Sequence, residues 1–444
     1  MILLFTIAFT LRFITWVYPG LGWGRLSIYD VGLYTEYGEA MVKALLAWDI
    51  RELASINIGV PPLGTLLVGI FASVFGGLFG DVYRAGLLAP LVASSASVIC
   101  VYLILKKYSH RAAVAASLLF ALDPYLIQCS SAYLDAIGTF FLLIAISLYV
   151  HSDDFSIKHV AAAGFFMMLA ILTKFTFAVF AAFFVLLLLL TERDYKTTGT
   201  IAAFSALSLA FIPWLWFPTT FQEAVFHHTS MNSVLPPIIF GPLLIGVPES
   251  YPWYILTYFG LGQVHWNVLP SFSHILLFAS LIYLCLKCEF SLDRKLMIFL
   301  AASILSVVFI PRNYWTYMWG AGFAKGEGVL FRQFYHYYFY LANISACITT
   351  CDLLFGARAR ENTRCPRGFI FLTSLYGLTA PFVAVMNPFF PYWSFIFTLI
   401  LNFSRGNQIM GYYGVIAFIL TLLMLSAIIA GAVMISRRLG LNGK

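Results

Sequence analysis

Residues 85–122 read AGLLAPLVASSASVICVYLILKKYSHRAAVAASLLFAL. The uncharged run 85–105 reaches the roughly 20 residues a helix needs to cross about 30 Å of hydrocarbon. It stops at Lys106-Lys107, and Arg111 opens the next apolar run. Two spans hinged by a short basic turn mark a polytopic helical membrane protein, with the turn facing the cytoplasm. Working outward from this hairpin, comparable runs recur from Met1 to Ile435. The 444 residues are 61% hydrophobic and only 10% charged, against about 25% charged in an average soluble domain. That composition excludes a secreted disulfide scaffold, a nucleic-acid binder and a disordered-tail architecture. An outer-membrane barrel is excluded too, because its strands would alternate apolar and polar residues.

The expected fold is all-α, with twelve spans at 1–18, 85–105, 111–128, 132–150, 160–172, 175–190, 199–217, 271–286, 296–311, 333–355, 369–386 and 411–435. Every second connection is then short and basic, and these connections hold most of the 26 Lys and Arg. The positive-inside rule puts them, and both termini, in the cytoplasm. The first run lacks a basic leader and a small-residue cleavage site, so it reads as a retained helix. The apolar run 61–79 would invert every later loop if it spanned. It reads as a helix dipping into or lying on the outer leaflet, behind Pro61-Pro62. The alternative is a true span, with 160–190 as a single crossing. The domain reading is a transmembrane module at 1–217 with a first outer loop at 19–84. A large outer loop (218–270) and a second transmembrane module (271–444) follow, with no separate soluble domain.

All ten Trp fall on the outer side or at outer helix ends. An anchoring belt populates both interfaces, so this bias points to a surface that handles sugars or lipid headgroups. The first outer loop carries Ser27-Ile-Tyr-Asp30-Val-Gly-Leu-Tyr34-Thr-Glu36-Tyr37-Gly-Glu39-Ala-Met41. Asp30, Tyr34, Tyr37 and Met41 recur at helical spacing, which predicts a short interfacial helix with Asp30 near its start. An acid beside the bilayer is a functional candidate. Asp also caps helices well, and the two roles are compatible. Glu36 and Glu39 read as solvated polar-face residues. Three further signatures follow in order: Val60-Pro61-Pro62-Leu63-Gly64-Thr65, Ser131-Ala-Tyr-Leu134-Asp135-Ala136, and Leu169-Ala-Ile-Leu-Thr173-Lys174. Lys174 can snorkel or hold a phosphate as a point charge.

Taken in this order, the four signatures resemble the GT-C integral-membrane glycosyltransferases, above all the protein O-mannosyltransferases and the aminoarabinose transferases. The likeness covers about the first 190 residues. Beyond them it rests on Tyr251-Pro-Trp253-Tyr254 and on Arg332-Gln-Phe-Tyr-His-Tyr337-Tyr338. The chain departs from the family pattern in two motifs: Val31 follows Asp30 where the mannosyltransferases carry Asp-Glu, and Val60-Pro-Pro-Leu-Gly-Thr65 stands where they carry His-Pro-Pro-Leu-Gly-Lys. The resemblance implies a polyprenyl- or dolichyl-phosphate sugar donor, carrying mannose or another hexose, and a protein, glycan or lipid acceptor. Transfer would be inverting, on the extracytoplasmic side of a cell or endoplasmic-reticulum membrane. Asp30 would be the base, taking the acceptor proton as phosphate leaves. Lys174, Arg332 and Arg84 are candidates for the leaving phosphate, Arg being suited to bidentate capture. Asp135, Tyr34, Trp253 and Tyr337 complete the expected substrate surface. The absence of a P-loop or Rossmann fingerprint agrees with a donor that needs no nucleotide.

A divalent cation is compatible with this chemistry, but no ligand set is clear. His227, His228 and His265 are a poor metal pattern. Neither Cys285-x-x-Cys288 nor Cys347-x-x-x-Cys351 has a second pair. Asp123-Pro124 most simply ends a helix. The alternative function is a lipid-linked sugar transporter or flippase, which would place its charges along a mid-membrane cavity.

Overall fold

The computed structural model describes residues 1–17, 28–56, 61–123, 126–127, 134–151, 157–191, 195–212, 293–309 and 340–355. These are mostly helical, joined by short turns, with no strand among them. In chain order the helices are α1 (Ile2–Val17), α2 (Ile28–Leu46), α3 (Ile50–Ser55), α4 (Pro62–Phe79), α5 (Val82–Gly86), α6 (Leu88–Lys106) and α7 (His110–Leu122). They continue with α8 (Leu134–His151), α9 (Ile157–Thr173), α10 (Thr176–Thr191), α11 (Tyr195–Leu207), α12 (Arg294–Phe309) and α13 (Tyr340–Phe355).

Their ends follow local chemistry. Pro61 is extended and Pro62 takes the first helical position of α4, where a missing N–H costs nothing. Gly80 closes α4 in the left-handed region, φ 65°, as C-terminal glycines do. Asp81 accepts the N–H groups of Tyr83 and Arg84 at 3.0 and 3.1 Å and so starts α5. Asp123 stops α7, and its carboxylate then accepts the Leu126 N–H at 3.1 Å. The basic hinge 106–111 is where it was expected, because Ser109 caps α7 through the Ala112 N–H.

α6 lies against α1, α7 and α8, while α8 packs on α9, α9 on α11, α7 on α13 and α10 on α12. The shared core is aliphatic and aromatic, with Ile104, Phe120, Leu142, Phe180, Phe299 and Ile344 buried. Among the described residues, three stretches are long and apolar enough to cross a membrane: Pro62–Phe79, Val82–Lys106 and Leu134–His151. α4 packs against several helices in turn. Gly64 sits on Thr173 and Leu134. Val68 shares a cluster with Ala89, Ala93, Leu134 and Ile137. Phe71 and Phe75 pack with Phe9, Phe13, Leu88 and Leu91. Successive turns of α4 thus meet the last residue of α9 and the first turns of α8 and α6.

Several boundaries differ from the sequence reading. α2 is 19 residues long, not short, because α4 buries its Thr35, Gly38 and Met41 face. α7 ends at Leu122 instead of 128, at the Asp123 stop. α11 begins at Tyr195 and gives way to a 3-10 turn, Ser208–Phe211, where Ser208 donates to the Ser205 carbonyl. The spans expected at 271–286, 369–386 and 411–435 lie outside the described residues, and the total of twelve is not established.

Candidate active site

The third and fourth signatures meet in an ion pair. Lys174 Nζ donates to Asp135 Oδ2 at 2.7 Å, with side chains 9% and 6% exposed. Asp135 stands in the first turn of α8, where the helix dipole favours an acid. Lys174 occupies the break between α9 and α10; its N–H reaches the Ala170 carbonyl and its carbonyl accepts from Phe177.

The second signature covers this corner. A Cβ on Gly64 would come within 2.7 Å of Thr173 Cγ2 and 3.2 Å of Leu134 Cδ2. Only a bare backbone lets α4 rest on the residues preceding Lys174 and Asp135. Leu63 packs beside Met168, Leu172 and Ile212. Pro-Pro starts the helix, Leu wedges it and Gly seats it, which gives the motif a packing reason.

α2 joins from above. Its backbone touches that of α4 where Gly38 crosses Gly69 and Thr65. Tyr34 is half-buried against the cluster holding Val68, Leu134 and Ile137. Asp30 lies in the first turn of α2, four residues before Tyr34. The Tyr83 hydroxyl donates to Glu36 at 2.8 Å and ties α5 to α2. The hydroxyls of Thr35 and Thr65 are buried without a hydrogen-bond partner among the described residues.

Arg84 is exposed on α5, its Nε 3.5 Å from Asp81 Oδ2. Arg332, Trp253 and Tyr337 lie outside the described residues, as do His227, His228 and His265. Among the described residues no three His, Cys, Asp or Glu gather as a metal-ligand set. The paired Asp135 and Lys174 present no net charge, so they form a fixed dipole at the corner rather than a ready acid or base.

The sequence reading missed Arg12. This guanidinium is fully buried and donates to Ser94 Oγ at 2.7 Å and to the carbonyls of Ala8, Ala121 and Phe120 at 3.1–3.4 Å. Ser94 Oγ in turn lies 2.6 Å from the Tyr340 hydroxyl. The available signal was a lone Arg inside the first apolar run, a residue type expected to face a partner inside a bundle.

Residues 60–217 match the dolichyl-phosphate-mannose-protein mannosyltransferase family. That stretch holds Pro61-Pro62, Asp135 and Lys174, and leaves Asp30 and Arg332 outside. No curated protein matches the chain significantly in sequence. Among solved structures, ArnT from Cupriavidus metallidurans bound to undecaprenyl phosphate is similar at 14% identity and TM-score 0.51, over 97% of this chain and 77% of that one. The archaeal oligosaccharyltransferase AglB from Archaeoglobus fulgidus, in complex with an inhibitory peptide and a dolichol-phosphate, is 16% identical at TM-score 0.42, over 75% of this chain and 48% of that one.

Proposed function

We propose that this chain, a membrane glycosyltransferase of the GT-C fold, moves a sugar from a polyprenyl-phosphate donor to an acceptor hydroxyl on the extracytoplasmic side. One observation carries the reading: Gly64, Asp135 and Lys174, from three signatures of the mannosyltransferase-like stretch, converge under the helix that begins near Asp30. Likeness to a protein bound to undecaprenyl phosphate and a match to a dolichyl-phosphate-mannose family support the donor class. They also make mannose or another hexose the first sugar to try.

In this reading the acceptor oxygen attacks the anomeric carbon as its proton passes to the Asp30 carboxylate. The bond from that carbon to the phosphate oxygen breaks on the opposite face, and polyprenyl phosphate leaves. Arg84 and Arg332 supply charge to the departing phosphate. The Asp135–Lys174 pair fixes the corner beneath, Lys174 meeting the phosphate only as a third partner to its carboxylate. Asp30→Asn should lower transfer from polyprenyl-phosphate mannose in proteoliposomes at least about a hundredfold, the usual effect of losing a general base. Membrane insertion should stay normal. Turnover near wild type would remove Asp30 from the mechanism. Movement of the intact donor across the bilayer without sugar release would identify a transporter instead.

A further inference from the structure

The turn between α2 and α3 is built at a conformational cost to hold an indole outside the fold. α2 ends with the Asp49 N–H on the Ala44 carbonyl at 2.9 Å and the Trp48 N–H on the Leu45 carbonyl at 3.1 Å. This is the helix ending whose left-handed residue is ordinarily glycine. Here that residue is Trp48, at φ 55°, the only non-glycine with positive φ among the described residues. Its side chain gains no packing within the described fold in return, being 88% exposed. Leu46 and Ile50 on either side are 78% and 68% exposed, and Leu45 is 42%. Asp49 then caps α3 through the Glu52 N–H at 2.9 Å, fixing the turn from its far side. The tip is rigid, apolar and outward-facing.

We infer that the tip Leu45–Ile50 inserts into the interfacial layer of the bilayer and sets the depth of α2, and with it of Asp30. The occupant is lipid, for three reasons. The chain is a membrane protein, so an apolar projection at the end of its bundle meets acyl chains before any other apolar phase. Tryptophan is the residue that favours the headgroup boundary. The exposed charges beside it, Lys43, Asp49, Arg51 and Glu52, are balanced in sign, which suits a zwitterionic surface better than a strongly charged partner. The backbone contact of Gly38 with Gly69 makes α2 and α4 a stiff cross, so depth imposed at Trp48 is carried along α2. The link to Asp30 rests on the functional reading above; the lipid contact does not.

The test places a spin label on Trp48→Cys, and separately on Leu46→Cys, in an otherwise non-reactive cysteine background, with the full chain in phosphatidylcholine nanodiscs. Relaxation by oxygen should exceed relaxation by an aqueous nickel chelate at both sites, and the order should reverse at Lys43→Cys. Nickel-dominated relaxation at positions 46 and 48 would overturn the insertion. Spin–spin broadening there, abolished by dilution with unlabelled protein, would overturn it in favour of contact with a second copy. A further variant, Trp48→Gly, tests the cost of the turn. It should unfold in detergent at the same temperature as wild type or higher, while donor turnover in bilayers falls severalfold. A clear loss of thermal stability would show that the indole packs the fold, against the proposal. Correct lipid insertion with unchanged Trp48→Gly turnover would overturn only the coupling to Asp30.

Discussion

Asp135 and Lys174 stand 39 residues apart in the chain and 2.7 Å apart in the fold. Bringing two charges out of water is costly, and their attraction offsets that cost only while both are present. Removing either leaves a buried charge with its main partner gone. Asp135→Asn and Lys174→Met should each destabilise the protein by about 3–5 kcal/mol, read as unfolding in detergent. The double variant Asp135→Leu/Lys174→Met should recover much of that loss. Strict additivity would mean the two side chains do not act as a pair. Both residues were legible in the sequence, since an acid and a base at adjacent span ends stand out in a chain that is 10% charged. Their pairing was not legible. It depends on the packing of α8 on α9, over which Gly64 seats α4 against Leu134 and Thr173. Arg12 escaped for a related reason. Its partners come from α6 and α7, residues 82 to 109 positions away, and no local pattern announces them.

Among the elements, the crossing of α2 and α4 decides where Asp30 can lie. Hydropathy finds α4 readily, but the length of α2 is hidden by Gly32 and Gly38, which weaken any helix read locally. Gly38 is there for contact: a Cβ on Gly69 would fall on the Gly38 backbone, and a backbone cannot swing aside as a side chain can. Gly69→Val should therefore cost at least the ~1–3 kcal/mol typical of overpacking, and donor turnover should fall with it. Gly77, on the same helix, has open space around its Cβ position. Gly77→Ala should be neutral or stabilising by about 0.5–1 kcal/mol, the helix preference of Ala over Gly. Equal behaviour of the two variants in thermal unfolding would dissolve the crossing as a structural requirement.

At the level of the whole molecule, two polar ties join α12 and α13 to the earlier helices at opposite ends of α6. At one end Lys107 donates to the Val150 carbonyl at 2.6 Å and Lys295 to the Tyr149 carbonyl at 3.1 Å, so cations from α12 and the α6–α7 hinge close the last turn of α8. The Tyr108 hydroxyl donates to Asp293 at 2.9 Å beside them. At the other end Arg12 gathers the terminal carbonyls of α7 and, through Ser94, the first residue of α13. The Phe120 ring lies under the guanidinium at 5.3 Å and edge-on to Tyr340. A planar fork with several donors can serve Ser94 and three carbonyls together; an ammonium on a flexible stem cannot. Arg12→Met leaves those acceptors buried and short of a donor, so it should cost on the order of 3 kcal/mol or more. Arg12→Lys should fall between Met and wild type. Tyr340→Phe, which keeps the ring and drops one hydroxyl, should cost only about 1 kcal/mol. Unfolding in detergent should rank the three in that order, and limited proteolysis should expose the junction before α13 first in Arg12→Met. If Arg12→Lys matches wild type in both measurements, the guanidinium is a charge in the bundle and not the fork that ties α13 to α1, α6 and α7.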